Sequence, residues 1–145
     1  MDSDDVLAER LRDAIGRFVR MTRDQADTLA PPHASTLGYL DRYGAMSIAQ
    51  LAKLRGVRHQ SMSRTVMELE DAGHVERRPN PDDARGFVIE ITEAGRGLLN
   101  ADRWARGRWV AAAIAAALTD AERARLEAVP EIFDRLTRFG AGRSR

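Results

Sequence analysis

Apolar and polar positions in the N-terminal part of the chain alternate with the period of an α-helix. Apolar side chains recur at spacings of three and four over residues 6–22, which predicts one long amphipathic helix. Pro31 and Pro32 are expected to end that stretch. A short second helix is then expected to begin at Ser35 or Thr36.

Two further short helices, separated by a tight turn, are predicted in the middle of the chain. The first begins at the capping box Ser47-Ile48-Ala49-Gln50 and stops at Gly56. The second begins near Arg58, and Gly73 is placed to cap its end. Steeply crossing helices need a small residue at the contact, a break in the turn and an apolar anchor, and the chain supplies Ala52, Gly56 and Met62. An ordinary helical hairpin has the same apolar pattern, so only the outward-facing residues can distinguish it from a DNA-binding helix-turn-helix.

The hydrophobic period changes from about 3.6 to about 2 after residue 74. Residues 75–78 and 87–91 predict two short strands, and the Pro, Asn, Asp and Gly residues of segment 79–86 predict an extended tip between them. A helix-turn-helix followed by a β-hairpin is the winged helix arrangement.

Long helical segments follow the hairpin. Thr92 can cap an Ala-rich helix over residues 93–118, and the capping box Thr119-Asp120-Ala121-Glu122 opens the last helix. Pro130 lies inside that last helix and is expected to kink it before it stops near Gly140. The predicted fold is therefore mainly α with a small β-hairpin wing.

The composition is that of one folded domain. With 145 residues, of which 43% are hydrophobic, the chain can bury a core. It has no cysteine, which excludes disulfides and cysteine-based metal sites. Its first residues are acidic where a signal peptide would be basic, and the longest apolar run, residues 110–118, is too short to span a bilayer. We therefore expect a cytoplasmic protein that makes no membrane contact.

The formal net charge is only +1, but the charge is unevenly distributed. Five basic residues and no acidic residue lie between positions 42 and 67, whereas residues 1–30 carry seven acidic residues and five arginines. A local basic surplus is what a nucleic-acid surface needs, although a solvated face has the same composition.

The predicted helix after residue 58 carries side chains that can read DNA bases. Its inward positions are Met62, Val66 and Leu69. A helical wheel then places Gln60 and Arg64 on the opposite face, one turn apart, in the N-terminal half that enters the major groove. An amide pairs bidentately with adenine, and a guanidinium pairs with guanine.

The hairpin tip supplies a second basic group. A tip beside a recognition helix reaches the neighbouring minor groove, whose negative potential attracts an inserted arginine. Arg85 is the candidate, and Asp83 is expected to hold it by a salt bridge. Considered alone, the tip is better explained as a solvated turn with a weak charge pair, and its position after a recognition helix favours the DNA contact. The candidate DNA-contacting residues are Arg58, His59, Gln60, Ser61, Ser63, Arg64, Arg77, Asp83 and Arg85.

Several segments together resemble the MarR family of bacterial transcription regulators, over residues 6–140. The segments are Leu37-Gly38-Tyr39-Leu40, Ser47-Ile48-Ala49-Gln50-Leu51-Ala52, Gln60-Ser61-Met62-Ser63-Arg64-Thr65-Val66, Leu69-Glu70-Asp71-Ala72-Gly73-His74-Val75-Glu76-Arg77-Arg78, Asp82-Asp83-Ala84-Arg85 and Ile91-Thr92-Glu93-Ala94-Gly95. The resemblance implies one domain over residues 1–145, with a winged helix lobe at 34–92 and dimerisation helices at 4–30 and 93–140. It also implies a homodimer that reads a pseudo-palindromic operator in double-stranded DNA and holds a small-molecule pocket.

Three positions depart from the family pattern. Ala84 stands where a second wing arginine is common, which predicts weaker minor-groove binding. Arg58 stands where a serine cap is common, which costs ~1 kcal/mol at the helix start or adds a phosphate contact instead. His74 replaces a usual leucine and puts a titratable group near the base of the wing.

Dimerisation has independent support in the apolar stripes of the terminal helices. A core of three short helices and a hairpin cannot cover the first, fifth and sixth helices as well, so a second subunit is expected to cover them. The half-sites of the operator then lie about one helical turn, ~10 base pairs, apart.

No enzyme, metal or cofactor site is expected. The three histidines are scattered, and no nucleophile elbow, phosphate loop or paired-acid motif is present. A pocket for a small aromatic effector is an alternative use of His33, Tyr39, Trp104 and Trp109, although such residues more often pack in cores and interfaces.

We therefore predict a dimeric, sequence-specific repressor that is released from DNA by a small molecule. The alternatives are a winged helix that binds only another protein, and a DNA-binding regulator that has no effector.

Overall fold

The computed structural model describes residues 2–26 and 29–142. The helices in these ranges are α1 (Ser3–Ala26), α2 (Pro31–Tyr43), α3 (Ile48–Arg55), α4 (His59–Asp71), α5 (Glu93–Ala117), α6 (Asp120–Leu126) and α7 (Val129–Gly142), and the strands are β1 (Val75–Asn80) and β2 (Asp83–Ile91). The chain divides into two compact units, Met1–Gly107 and Arg108–Arg145, so the boundary lies within α5. The predicted fold class, mainly α with a small β-hairpin, is confirmed.

Helix α2 begins at Pro31, so the prediction that it begins at Ser35 or Thr36 is wrong. A proline at the first helical position loses nothing, because its missing N–H would have no partner inside the helix there. Ser35 and Thr36 instead lie within the helix and donate their hydroxyl hydrogens to the carbonyl oxygens of Pro31 (3.0 Å) and Pro32 (2.8 Å). Back-bonding of this kind is the other common use of hydroxyl side chains near a helix start.

The turn between α3 and α4 matches the sequence prediction. The Ser47 hydroxyl accepts a hydrogen bond from the Gln50 amide at 3.1 Å, and the Gln50 side chain accepts one from the Ser47 amide at 2.9 Å. Gly56 then ends α3 in the left-handed conformation, with φ of 64°, which only glycine adopts without strain. Ala52 and Met62 are both buried between the two helices and their neighbours.

The wing is longer than predicted, because both strands extend into segment 79–86. The antiparallel register pairs Pro79 with Phe87 and Asn80 with Asp83, which leaves residues 84–86 of β2 without opposing residues on β1. Such a bulge bends the strand and increases its twist. A one-residue bridge between Met46 and Ile89 adds a third short segment to the sheet, which the sequence did not predict.

The hydrophobic core lies in the first unit, between α2, α3, α4 and the base of the wing. Its buried residues are Leu37, Leu40, Met46, Ile48, Leu51, Ala52, Met62, Val66, Leu69, Val75, Ile89, Ile91 and Leu99. Since Leu99 belongs to α5, the first turns of that helix are anchored on the same core.

The C-terminal segment forms two helices rather than one kinked helix. Helix α6 ends at Leu126, and Pro130 lies in the first turn of α7, so the prediction of a kink inside a single last helix is wrong. Proline is favoured in a first turn for the same reason as in α2. The predicted capping box of Thr119 and Glu122 is confirmed. The carboxylate of Glu122 accepts hydrogen bonds from the backbone amide and the hydroxyl of Thr119; both lower the pKa of Glu122, and the amide has the larger effect. Within the described ranges, no helix combines the length and apolarity that a membrane span requires.

Candidate nucleic-acid interface

Helix α4 buries one face in the core and leaves the opposite face open. Met62, Val66 and Leu69 are at most 1% exposed. The exposed residues of the helix include Gln60, Ser61, Arg64, Met67, Glu68 and Asp71, while Ser63 is half-buried. The sequence-derived division of this helix into inward and outward positions therefore agrees with the structure.

Arg64 extends from the middle of this exposed face. Its side chain is 82% exposed, and its Nε atom donates a hydrogen bond to Oε1 of Glu68 at 3.3 Å. The contact uses Nε, and neither terminal nitrogen of the guanidinium takes part in it.

Four more polar side chains lie at or near the amino end of α4. Arg58 occupies the N-cap position in extended conformation, and its side chain caps no backbone amide. Oγ of Ser63 lies 3.3 Å from Nδ1 of His59, one turn earlier. These residues and Gln60 surround the amino end of the recognition helix.

Glu68 also has a partner on another helix. Nε2 of His33, in the first turn of α2, donates a hydrogen bond to Oε2 of Glu68 at 2.7 Å. This bond, and then the bond from Arg64, lowers the pKa of Glu68. His33, a sequence-predicted candidate for an effector site, thus contacts the recognition helix in the structure.

The wing tip exposes Arg85 within the bulge at residues 84–86. The predicted salt bridge between Asp83 and Arg85 is not formed, because Oδ1 of Asp83 accepts a hydrogen bond from the backbone amide of Arg85 at 3.0 Å instead. An aspartate can reach an amide two residues later more easily than it can hold a long guanidinium. Among the described residues, the Arg85 side chain has no ion-pair partner.

Two arginines at the base of the wing are held within the chain. Nε of Arg77 donates to both carboxylate oxygens of Glu70, at 3.0 and 2.9 Å, and its guanidinium carbon lies 4.3 Å from the centre of the Phe87 ring. Arg78 pairs with Glu76 and Glu90, and these carboxylates, Glu76 first, raise the pKa of Arg78. Arg77 therefore joins the recognition helix to the wing in this structure.

A cavity of about 490 Å³ lies beside α2, on the first unit. It is lined by Arg23, Pro31, Ala34, Ser35, Gly38, Tyr39, Arg42, Leu99, Arg103 and Arg106. Of the four residues proposed from the sequence for an effector site, Tyr39 lines this cavity, whereas His33 does not. Trp104 is 65% exposed on α5 and does not line the cavity, and Trp109 belongs to the second unit.

Carboxylates hold two of the cavity arginines. Asp41 accepts hydrogen bonds from Arg103 at 3.0 Å and Arg96 at 3.2 Å, which lower its pKa in that order of importance. Asp102 is 3% exposed, and it accepts from Arg106 and, at 3.1 Å, from the backbone amide of Leu29. No sequence signal pointed to these arginines, because only folding brings α1, α2 and α5 together around one cavity.

An open recognition helix, a preceding helix across a glycine turn, and a hairpin with an exposed tip define a winged helix-turn-helix DNA-binding protein. Comparison with known proteins narrows the class. The family model described as "MarR family" matches residues 27–86. An HTH-type transcriptional regulator of Mycobacterium tuberculosis is 36% identical over 117 residues, which cover 79% of this chain and 82% of that protein. The chain belongs to the MarR family of transcriptional regulators, which are not enzymes.

Solved structures agree with this assignment. A protein of Pseudomonas aeruginosa described as a transcriptional regulator superposes with a TM-score of 0.81 and 28% identity, covering 94% of this chain and 97% of the other. A mutant of Escherichia coli MarR superposes with a TM-score of 0.74 and 21% identity, covering 88% and 95% of the two chains. The second comparison concerns the fold alone.

Proposed function

We propose that this protein regulates transcription by binding double-stranded DNA sequence-specifically, with α4 in the major groove and the wing tip in the adjacent minor groove. The observation that carries this proposal is that Arg64 on α4 and Arg85 on the wing are both exposed on the same compact unit. Gln60, Ser61 and Ser63 complete the base-reading set, while Arg58 and His59 lie where phosphates flank the groove.

Selection of bound duplexes from a random pool tests this proposal. We expect a pseudo-palindromic consensus whose affinity falls steeply with salt concentration, because each neutralised phosphate releases counterions. Absent binding, or binding that is insensitive to salt, would favour the alternative of a winged helix that recognises only another protein.

The protein is proposed to bind its operator as a homodimer. Leu7, Phe18 and Met21 on α1, and Leu136 and Phe139 on α7, are each between 49% and 67% exposed. Large apolar side chains at such density mark surfaces that another chain covers. Sedimentation equilibrium is expected to show a dimer, and Leu136→Glu is expected to weaken it. A wild-type protein that stays monomeric at the concentrations used for DNA binding would contradict the proposal.

The protein is also proposed to act as a repressor, since an operator occupied by a dimer is closed to polymerase when it overlaps a promoter. Transcription in vitro from a template carrying the selected site at its promoter is expected to fall as protein is added. A rise in transcript would identify an activator instead.

A small organic anion is proposed to release the protein from DNA by entering the cavity beside α2. Arg23 and Arg42 line this cavity and form no ion pair with any carboxylate of the described residues, which supports their assignment as the groups that bind the anion. Tyr39 supplies an aromatic surface next to them. An aromatic carboxylate fits both features.

Titration of the operator complex with benzoate, and with uncharged benzamide as control, tests the effector proposal. We expect release by the carboxylate only, and loss of that release in Arg42→Ala. Release by both compounds, or unchanged release in the variant, would show that anion binding in this cavity does not cause release from DNA.

A further inference from the structure

The carboxylate of Glu68 joins two helices that the chain separates by many residues. Oε2 accepts from His33 on α2 at 2.7 Å, and Oε1 accepts from Arg64, one turn earlier on α4, at 3.3 Å. The two oxygens therefore have different partners, and the contact with His33 is the shorter of the two.

An exposed pair of residues four apart on a helix is by itself worth little, because both side chains lose rotamer freedom to form it. The contact of His33 with Glu68 reduces this entropic cost. His33 lies in the first turn of a helix that packs on the core, and its side chain is only 27% exposed. Because the contact with His33 restrains Glu68, less side-chain freedom is lost when Arg64 pairs with the same carboxylate.

The contact with Glu68 leaves a particular part of the guanidinium available. A guanidinium reaches the O6 and N7 atoms of guanine with two donors. Because Glu68 engages Nε, the pair left for a base is the two terminal nitrogens, which approach it end-on along the axis of the side chain.

We propose that Glu68, held in place by His33, positions Arg64 for end-on recognition of guanine and so determines base specificity at the position that Arg64 reads. This inference rests on the proposed function, in which Arg64 contacts a base. Both Glu68 and His33 are positioning residues here, since neither is required to touch DNA. The ionised state that Glu68 needs is favoured by its lowered pKa.

Loss of Glu68 should affect specificity differently from overall affinity. Removing an acid near the phosphates raises binding to every duplex, whereas removing the support of Arg64 reduces only the advantage of the correct base. Asp71 is an exposed acid on the same helix for which the described residues provide no ion-pair partner. It is therefore the matched control for charge.

The experiment measures affinity for the selected duplex and for a duplex changed at the base pair that Arg64→Ala ceases to discriminate. Wild type is expected to prefer the selected duplex by about tenfold or more at that position. In Glu68→Ala the preference is expected to fall by roughly threefold or more, while Asp71→Asn raises both affinities and keeps their ratio. His33→Gln is expected to lower the ratio less, and His33→Gln combined with Glu68→Ala to lower it no further than Glu68→Ala does.

Equal ratios in wild type, Glu68→Ala and Asp71→Asn would overturn the positioning role, provided that Arg64→Ala abolishes the preference. If Arg64→Ala keeps the wild-type preference at every position, the assignment of Arg64 as a base-reading residue fails instead. The two failures are therefore distinguished by one set of measurements. Thermal unfolding of each variant confirms that a lowered ratio comes from a folded protein.

Discussion

Gly95 lies against the backbone of His74 with no room for a side chain between them. A methyl group at position 95 would lie 2.1 Å from the carbonyl oxygen of His74 and 2.9 Å from its carbonyl carbon. Thr92 closes the same junction, since its hydroxyl donates to the carbonyl oxygen of Gly73 at 2.7 Å and accepts from the amide of Gly95 at 3.1 Å. The two residues that precede β1, just after α4, are thus in direct contact with the backbone at the start of α5.

Replacement of Gly95 by alanine is expected to destabilise the protein by about 3 kcal/mol, because backbone cannot move aside as a flexible side chain can. Gly97→Ala is the matched control: it lies in the same helix with nothing within 4 Å of an added methyl group, and is expected to stabilise by up to ~1 kcal/mol. Chemical denaturation of both variants measures the difference. Equal stability of the two would mean that the junction relaxes without cost.

Arg64→Ala and Arg85→Ala are expected to have different effects on DNA binding. Loss of Arg64 should cost about 1–3 kcal/mol on the selected duplex and relax the base preference at one position. Loss of Arg85 should weaken binding with little change at the major-groove positions, since a minor-groove arginine responds mainly to groove width. Repeating the duplex selection with each variant checks this. If both variants bind like wild type, the assignment of the two grooves is wrong.

Arg58→Ser is expected to improve the fold and impair DNA binding. The N-cap residue already has extended conformation, with φ of −68° and ψ of 147°, so a serine hydroxyl should stabilise the helix start by ~1 kcal/mol. If Arg58 contacts phosphate, the same change should reduce the slope of log affinity against log salt concentration by about 1. Greater stability with an unchanged slope would leave Arg58 without a role at the DNA.

Asp41→Asn is expected to remove part of the acid sensitivity of the fold. Arg103 and then Arg96 lower the pKa of Asp41 in the folded protein. A carboxyl whose pKa is lowered by folding stabilises the folded state above its ordinary pKa, and this contribution is lost as the pH falls through the folded value. Melting temperatures from about pH 7 to about pH 3 should therefore fall less steeply in the variant.

Asp71→Asn provides the control for the loss of one negative charge in that series. Glu68 and Glu122, whose pKa values are also lowered, account for acid sensitivity that remains in Asp41→Asn. Identical pH profiles of wild type and Asp41→Asn would show that the arginine contacts do not stabilise the fold.

Local signals in the sequence were sufficient for the helix-turn-helix. The capping box at Ser47, the glycine turn at Gly56 and the inward position of Met62 each depend on residues a few positions apart, and all three are found in the structure. The start of α2 was predicted wrongly, because Pro31 is equally compatible with ending one helix and beginning the next. Only packing of the helix on the core decides between these uses.

Contacts between distant residues left no comparable signal. His33 and Glu68 are 35 positions apart, and the bridge of Met46 to Ile89 involves one residue on each side. No period or motif connects such positions, so the sequence suggested an effector role for His33 where the structure has a contact with the recognition helix. The arginines of the cavity are unpredictable for the same reason, since three helices supply them.

The contacts of Arg77 with Glu70 and Phe87 have a consequence for the operator itself. They tie the carboxyl end of α4 to the base of the wing, which, in the proposed binding mode, favours one separation between the major-groove and minor-groove contacts. The DNA must then present its two recognised elements at one spacing, and an inserted base pair, which lengthens the duplex by about 3.4 Å, should be as harmful as a wrong base. In the proposed binding mode, the spacing within each half-site therefore contributes to sequence specificity together with the base contacts.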